Sequence, residues 1–183
     1  MAIEVGSTLS LTAKVGLNAG DSMNLAEEIV PKYDVMDSDI FFRNKRVVVF
    51  ALPGAFTPTC TTKQLPQFEE KYNELVSAGV EDVYCISVND PYVMGAWESM
   101  LEISKVKLIA DGNGELTESL GMLVDKSNLG FGKRSWRYAA VVNNGVVEQA
   151  FIEPGMVDNC EDDPYIASTP SAVLLWLKSS DAE

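Results

Sequence analysis

Histidine is absent from this chain of 183 residues. Because imidazole is the most common general base in enzymes and a common zinc ligand, its absence excludes the usual proton acceptor and every histidine-containing zinc site. Long apolar runs are also missing, since none approaches the roughly 18–20 residues that a membrane-spanning helix needs. Any chemistry here must use other side chains, and a membrane protein is not expected.

Positive charge is scarce as well. Lysine and arginine number 14 against 27 aspartates and glutamates, which leaves a net charge of −13. Such a surplus repels phosphate backbones and anionic membrane surfaces, so we expect no binding to nucleic acid or membranes. The amino terminus lacks the basic start, apolar block and cleavage site of a secretion signal, and we therefore expect a cytoplasmic protein.

Cysteine occurs three times, as Cys60, Cys85 and Cys160. The three positions are far apart, no two form a CxxC pair, and their number is odd. A framework of structural disulfides is therefore not expected, and scattered thiols make a poor metal site.

The patterns that are present predict alternating strands and helices. Arg46–Leu52 is a β-branched run that fits a strand buried on both faces, and helical spacing begins at Thr61, with Pro66 near its start. Further strands are predicted at Val83–Val88 and Val106–Asp111, and further helices from Pro91 and from Glu115.

The end of the chain adds a hairpin and a helix. Two β-rich runs flank Asn143-Asn144-Gly145, and a final helix has Ser168 or Thr169 as its cap. Near the start, Leu17–Asn24 is predicted to be a turn. The order of elements predicts an α/β protein with a thioredoxin-like fold, a central mixed sheet flanked by helices, in a single domain spanning residues 1–183.

Cys60 lies in the stretch "ALPGAFTPTC", where a predicted strand ends and a predicted helix begins. The first turn of a helix carries unpaired N–H groups and a partial positive charge, which stabilise a thiolate. A thiolate formed in this way is a nucleophile that needs no histidine. The alternative is a small buried packing residue, as free cysteines often are. Position alone leaves both interpretations open.

The residues before Cys60 suit a reactive thiol. Pro53 and Pro58 stiffen the loop, and Pro53 can shield the sulfur from water. Thr57, three residues before Cys60, can turn its hydroxyl toward the sulfur. A hydroxyl both donates and accepts hydrogen bonds, so it can hold a substrate oxygen beside the thiolate.

Together these residues form the pattern P-x-x-x-T-x-x-C, and "PGAFTPTC" resembles the active-site signature of peroxiredoxins, in the branch that includes the type II and type V enzymes. The stretches "YCISVND", "DGNGE", "GFGKRSWRY" and "FIEP" are also similar to that branch, especially to its glutathione- and glutaredoxin-linked bacterial members. The similarity runs from about Val47 to Pro154.

The resemblance implies a role for each matching residue. Cys60 is then the peroxidatic cysteine, whose thiolate attacks a peroxide oxygen and becomes a sulfenic acid. Thr57 would hydrogen-bond the thiolate and the peroxide, and Pro53 would cap the pocket. Arg137 matches the active-site arginine, whose charge stabilises the thiolate and the separating oxygens. Arg134, its neighbour, is interpreted as a solvated surface charge.

The implied function is that of a thiol peroxidase in antioxidant defence and cell redox homeostasis. It would reduce hydrogen peroxide and small alkyl hydroperoxides, be regenerated by glutathione and glutaredoxin or by thioredoxin, and form a homodimer. Because the sulfur itself is the redox centre, no metal, haem or flavin cofactor is expected. Two alternatives are a thiol–disulfide oxidoreductase, disfavoured by the missing CxxC pair, and a non-catalytic redox sensor.

The two other cysteines have different settings. Cys85 lies within a predicted strand and is interpreted as a buried packing residue. Cys160 lies in an acidic, turn-rich stretch, close to where animal type V enzymes have a resolving cysteine, so it is a candidate to form a disulfide with Cys60. Its acidic neighbours oppose ionisation of the thiol. We therefore expect a one-cysteine cycle resolved by glutathione or glutaredoxin.

Overall fold

A mixed sheet of seven strands forms the centre of the computed structural model, which describes residues 2–9, 12–18 and 33–180. Its strands are β1 (Lys14–Asn18), β2 (Tyr33–Asp37), β3 (Arg46–Ala51), β4 (Asp82–Ser87), β5 (Lys107–Ala110), β8 (Tyr138–Asn143) and β9 (Val146–Ile152), and a separate hairpin consists of β6 (Leu123–Asp125) and β7 (Lys133–Ser135). The order across the sheet is β2-β1-β5-β4-β3-β8-β9, with β3, β4 and β5 parallel and all other neighbours antiparallel.

Five α-helices accompany the sheet within the described residues. They are α1 (Asp39–Phe42), α2 (Leu65–Ser77), α3 (Pro91–Met100), α4 (Glu115–Ser119) and α5 (Pro170–Ser180). A π-helical turn, Cys60–Gln64, leads directly into α2, and a 3₁₀ turn covers Ser127–Leu129. In the described part of the chain, every helix is too short or too polar to cross a bilayer.

Strand β3 lies in the middle of the sheet and is buried on both faces, as its sequence predicts. Val47 and Val49 pack into one apolar cluster, whereas Val48 and Phe50 pack into the other. A strand covered on both sides needs apolar residues at every position, which explains the uninterrupted run.

The two clusters define the two faces of the sheet. We call one the α2 face, which the sheet shares with apolar residues of α2, α3 and α5, among them Phe68, Trp97 and Leu177. We call the other the α4 face, which holds apolar residues of α1 and α4, among them Phe42 and Leu116. The sheet lies between the two clusters.

The structure confirms the predicted strands and helices from residue 46 onward. The helix predicted from Thr61 begins earlier, because Pro58 and Thr59 are already helical and lead into the π-helical turn at Cys60. Asn144 and Gly145 have φ angles of 49° and 79°, the left-handed backbone that a tight hairpin turn requires. At the last helix, Thr169 is the cap, because its Oγ1 accepts a hydrogen bond of 3.2 Å from the Ala172 amide.

Four of the described strands were not predicted. β1 and β2 lie in the amino-terminal part of the chain, where composition shows no clear periodicity, and β6 and β7 have only three residues each. Only the first two residues of the predicted turn Leu17–Asn24 are described, and they end β1; the remainder lies outside the described residues.

Candidate active site

The loop between β3 and the π-helical turn is held by its own hydrogen bonds. Pro53 and Gly54 are buried. The Thr57 hydroxyl donates to the carbonyl of Gly54 at 2.7 Å, and the Thr61 amide donates to the carbonyl of Thr57 at 3.0 Å. The loop therefore passes into the helix without a break, which fixes the position of the residue that begins the π-helical turn.

Neighbouring segments impose an unusual backbone on this loop. Phe56 has a φ of 62°, a conformation that is strained for a bulky residue. The amide of Ala55 donates to Asn89 Oδ1 at 3.0 Å, and the Phe56 ring, 49% exposed, lies 6.5 Å from the ring of Trp97. Strain of this kind persists only where the surroundings hold it.

Cys60 begins the π-helical turn and is fully buried, with 0% exposure. Its carbonyl accepts from the Leu65 amide, so it is part of the helical hydrogen-bonding pattern. Cys60 lies in the first turn of a continuous helical segment that runs to Ser77. The first turn of a helix has unpaired amides, which favour a negative charge. Single π-helical turns are frequent at functional sites.

Arg137 lies beside Cys60. It belongs to the connection between β7 and β8, and the antiparallel pairing of β8 with β3 places Tyr138 opposite Ala51, close to the loop. Its side chain is 1% exposed, and its Nη1 lies 3.5 Å from the Cys60 sulfur. A guanidinium at this distance stabilises the thiolate and can donate to oxygen atoms bound next to the sulfur.

Two further residues hold the Arg137 guanidinium. Nη1 also donates to Gln64 Oε1, and Nη2 donates to the Asp163 carboxylate, with which it forms an ion pair. Gln64 is itself buried, and its amide donates to the carbonyl of Ala51 at 3.4 Å. Burial lowers the pKa of Arg137, but Cys60 and Asp163 raise it more, and the net shift is upward. The arginine therefore stays charged.

Asp163 belongs to an extended segment, residues 154–169, which we call the acidic loop. The loop is anchored at its carboxyl end by Glu153, 1% exposed, whose carboxylate accepts from the amides of Ile166, Ala167 and Ser168 at 2.7 to 3.0 Å. Tyr165 lies over the Arg137 guanidinium at 5.7 Å, and its hydroxyl donates to Gln67 Oε1 at 2.7 Å. The acidic loop thus contacts both the arginine and helix α2.

Arg134 is not the solvated surface charge that the sequence suggested. It is partly buried, its Nε donates to the carbonyl of Phe131 at 3.0 Å, and its Nη1 donates to that of Val88 at 3.2 Å. A Cβ atom at Gly54 would lie 2.8 Å from Nη1, so the guanidinium packs against this glycine. Burial lowers the pKa of Arg134 and Cys60 raises it. The sequence does not reveal this burial, because it depends on Gly54, a residue of another segment that leaves room for the guanidinium.

Cys85 is fully buried in β4 on the α2 face, as predicted for a packing residue. Burial raises the pKa of its thiol well above the usual value, and the nearby Cys60 raises it further. Within the described residues, nothing donates a hydrogen bond to its sulfur. This thiol stays protonated near neutral pH and is a poor nucleophile.

Cys160 is half-buried in the acidic loop and packs against the cluster of the α4 face. Its carbonyl accepts from Lys126 Nζ at 2.8 Å. Cys60 belongs to the cluster of the α2 face, and all three thiols are free. In this conformation Cys60 and Cys160 are associated with opposite faces of the sheet.

Of the predicted site residues, the structure brings Cys60 and Arg137 into contact and places Pro53 and Thr57 in the loop just before the sulfur. The roles assigned to these residues stay predictions. Gln64 and Asp163 were missed. Gln64 follows Cys60 by four residues in a helical segment, so its spacing was a usable signal, whereas nothing in the sequence connects Asp163 with Arg137.

The chemistry that this arrangement allows is nucleophilic attack by sulfur. A fixed cation beside a sulfur attracts negative charge on that sulfur, and the same cation can stabilise negative charge on a leaving atom. Among the described residues, no group of three or more cysteine, aspartate or glutamate side chains is placed to hold a metal ion.

Comparison with known proteins gives a consistent result. Residues 19–164 match the family model described as Redoxin. The chain is 58% identical over 150 residues to peroxiredoxin y4vD of Sinorhizobium fredii, covering 82% of this chain and 80% of that protein. It is 49% identical over 144 residues to the hybrid peroxiredoxin hyPrx5 of Haemophilus influenzae, covering 79% of this chain and 58% of that protein.

A solved structure extends this similarity to the fold. The Plasmodium falciparum antioxidant protein, a 1-Cys peroxiredoxin, superposes with a TM-score of 0.87 at 37% identity, covering 97% of this chain and 99% of that one. The expected thioredoxin-like arrangement is confirmed. Because relatives of such identity match over most of the sequence, and the sulfur and guanidinium meet as the signature predicts, this chain belongs to the peroxiredoxins, the thiol-dependent peroxidases.

Proposed function

We propose that Cys60 is the thiol that reduces peroxide, with hydrogen peroxide and small alkyl hydroperoxides as substrates. The observation that carries the proposal is the 3.5 Å approach of Arg137 Nη1 to the Cys60 sulfur, with both side chains buried. A fixed cation in a site of low dielectric favours the thiolate and stabilises charge on the oxygens as they separate.

In the first step the Cys60 thiolate attacks one oxygen of the peroxide, and the O–O bond breaks as the S–O bond forms. The sulfur is oxidised to a sulfenic acid, and the peroxide is reduced to an alcohol, or to water when the substrate is hydrogen peroxide. The departing oxygen takes up a proton, while Arg137 stabilises its negative charge. The Thr57 hydroxyl, which donates its proton to the carbonyl of Gly54, would accept a hydrogen bond from the peroxide, and Pro53 would shield the sulfur from water.

In the next steps an external thiol restores Cys60. One thiol attacks the sulfenic sulfur and releases water, which leaves a mixed disulfide; a second thiol attacks this disulfide and frees Cys60. We assign this role to glutathione with glutaredoxin, with thioredoxin as the alternative reductant. The similarity to a protein named as a 1-Cys peroxiredoxin supports a one-cysteine cycle.

Cys160 is the internal alternative, as a resolving cysteine that would form a disulfide with Cys60. Its packing against the α4 face supports the external route, since Cys60 lies on the α2 face. The two routes give different products when one equivalent of peroxide is added without thiol. Peptide mapping is expected to find Cys60 as sulfenic acid, and a Cys60–Cys160 bridge would overturn the one-cysteine assignment.

The test of the peroxidase assignment is a rate measurement on purified protein. We expect peroxide to be consumed faster with glutathione and glutaredoxin than with thioredoxin, and only by protein that contains Cys60. The control is Cys60→Ser. If the wild-type protein is no faster than this variant with either reductant, Cys60 is a redox sensor rather than a catalytic residue. Reduction of a disulfide substrate without peroxide would favour an oxidoreductase.

Several finer assignments accompany this function. We place the chain in the type II/type V branch, as a cytoplasmic antioxidant enzyme with one domain and no metal or organic cofactor. The continuous seven-stranded sheet supports the single domain, and the free thiols suit a reducing compartment. The net charge of −13 supports the absence of nucleic-acid and membrane binding.

We also propose a homodimer. The half-exposed ring of Phe56, held in a strained loop beside the active site, is an apolar residue suited to an interface between subunits. Sedimentation analysis is expected to show a dimer that Phe56→Asp shifts toward the monomer. A wild-type protein that sediments as a monomer at micromolar concentration would contradict this assignment.

A further inference from the structure

Arg137 is contacted by two different acidic groups. Its Nη1 faces the Cys60 sulfur at 3.5 Å, and its Nη2 is bound by the carboxylate of Asp163. The arginine is buried at 1% exposure, whereas the Asp163 side chain is 45% exposed. One buried cation therefore contacts both the Cys60 sulfur and the carboxylate of a partly exposed residue.

Within the described part of the chain, few other charged and titratable groups lie around this pair. Cys60 is also near Arg134 from β7 and Cys85 from β4. Arg137 is also near the ring of Tyr165, and burial raises the pKa of that phenol while Arg137 lowers it. Glu153 acts on Tyr165 as well, but its carboxylate is taken up by backbone amides at the end of the acidic loop.

Charge and geometry at Asp163 have opposite consequences for the sulfur. Its negative charge offsets part of the positive charge of Arg137, which leaves less to stabilise the thiolate. Its oxygen atom, in contrast, fixes the orientation of the guanidinium, with Nη1 directed at the sulfur. The two effects can be separated, because an asparagine retains an oxygen acceptor and lacks the charge.

We propose that Asp163 is a positioning residue that shares Arg137 with the Cys60 thiolate, and that its charge limits how readily Cys60 ionises. The inference deepens the proposed function and depends on Cys60 being the reacting thiol. It assigns a role to the acidic loop: the loop moderates the reactivity of the sulfur through a contact with the arginine and not with the sulfur itself.

The test compares Asp163→Asn with the control Asp162→Asn. Asp162 is a neighbouring exposed residue that has no ion pair or hydrogen bond among the described residues. The rate at which iodoacetamide alkylates Cys60 is followed by peptide mass spectrometry across a range of pH. Alkylation reports the thiolate whether or not the protein reduces peroxide, so failure of this inference is distinct from failure of the peroxidase assignment.

We expect the pH midpoint of Cys60 alkylation to fall by about 0.5 to 1 unit in Asp163→Asn and to stay unchanged in Asp162→Asn. An unchanged or raised midpoint in Asp163→Asn would overturn the proposal. Asp163→Gln, which also keeps an amide oxygen as an acceptor, provides a second removal of the charge if the asparagine variant does not fold, and the same downward shift is expected.

A second background tests whether the effect passes through Arg137. In the Arg137→Gln variant, Asp163 no longer has this arginine as an ion-pair partner and can turn toward water. Adding Asp163→Asn to this variant is therefore expected to shift the pH midpoint of Cys60 alkylation by less than half as much as in the wild-type protein. An equal shift in both backgrounds would show a direct effect of the carboxylate on the sulfur, and the sharing of Arg137 would be wrong.

Discussion

Cys60 and Cys85 lie in the same apolar cluster and are both fully buried, yet they have opposite surroundings. Cys60 begins a helical segment and has Arg137 at 3.5 Å. Cys85 lies within a strand whose amides are used in the sheet, and burial raises the pKa of its thiol. The two cysteines therefore differ in the helix start and the nearby cation and not in burial, and we attribute the proposed reactivity of Cys60 to those two features.

Removing each of the two sulfur atoms in turn is the strongest test of this difference between Cys60 and Cys85. We expect Cys60→Ser to lower the peroxidase rate by more than about 10³-fold, because the nucleophile is lost. Cys85→Ala is expected to retain the rate to within about twofold while losing about 1 kcal/mol of stability to the small cavity. The measurements are the initial rate of peroxide consumption and the midpoint of unfolding in urea. A large loss of rate in a folded Cys85→Ala variant would give Cys85 a part in the cycle.

Arg137→Gln makes the setting of Cys60 resemble that of Cys85. Without the cation, the buried thiol ionises less readily and the separating oxygens lose a donor, so we expect the second-order rate with hydrogen peroxide to fall by about 10²- to 10³-fold. Rapid mixing with detection of tryptophan fluorescence measures this step.

The matched variant Arg137→Lys keeps the charge but cannot donate to sulfur and Gln64 in the same plane. Its rate is expected to lie between those of Arg137→Gln and the wild-type protein. A rate for Arg137→Gln within twofold of the wild type would contradict a role for the arginine.

Thr57 tests whether the site binds the peroxide as well as activating the sulfur. Replacing its hydroxyl by a methyl group in Thr57→Val is expected to lower the second-order rate by about tenfold or more, because one hydrogen-bonding partner of the peroxide is lost. Thr57→Ser keeps the hydroxyl and is expected to stay within a few-fold of the wild type. Equal rates for the two variants would contradict a role for the Thr57 hydroxyl in binding the peroxide.

Arg134 provides the smallest expected effect. Arg134→Met keeps much of the packing against Gly54 but loses the hydrogen bonds to the carbonyls of Val88 and Phe131 and a second positive charge near Cys60. We expect a loss of about 1 kcal/mol in stability and a rate lowered about threefold. Thermal unfolding and the rapid-mixing rate measure the two effects. If Arg134→Met lowered the rate as much as Arg137→Gln does, Arg137 would not be the arginine with the larger effect on Cys60.

The sequence predicted those parts of the fold and site that depend on local patterns. β3 was recognisable because a strand covered on both faces carries an uninterrupted apolar run, and the hairpin was recognisable from Asn143-Asn144-Gly145. Cys60 was placed by a motif of eight adjacent residues, and Arg137 by its resemblance to a family signature. Each of these signals lies within a short stretch of chain.

Features that depend on distant residues were not predicted. The contact of Asp163 with Arg137 joins two segments that are separated in sequence and meet only through folding of the acidic loop. Arg134 was misassigned because its burial depends on Gly54, a residue of a different element. Short strands such as β6 and β7 have too few residues for periodicity to show.

The central claim is that the thiol next to Arg137 is the one that peroxide oxidises. The most direct measurement is to mix reduced protein with one equivalent of hydrogen peroxide in the presence of dimedone, which traps sulfenic acids, and to locate the label by peptide mass spectrometry. The account predicts a label on Cys60 and none on Cys85 or Cys160. A label on either of those two cysteines, with Cys60 unmodified, would contradict it.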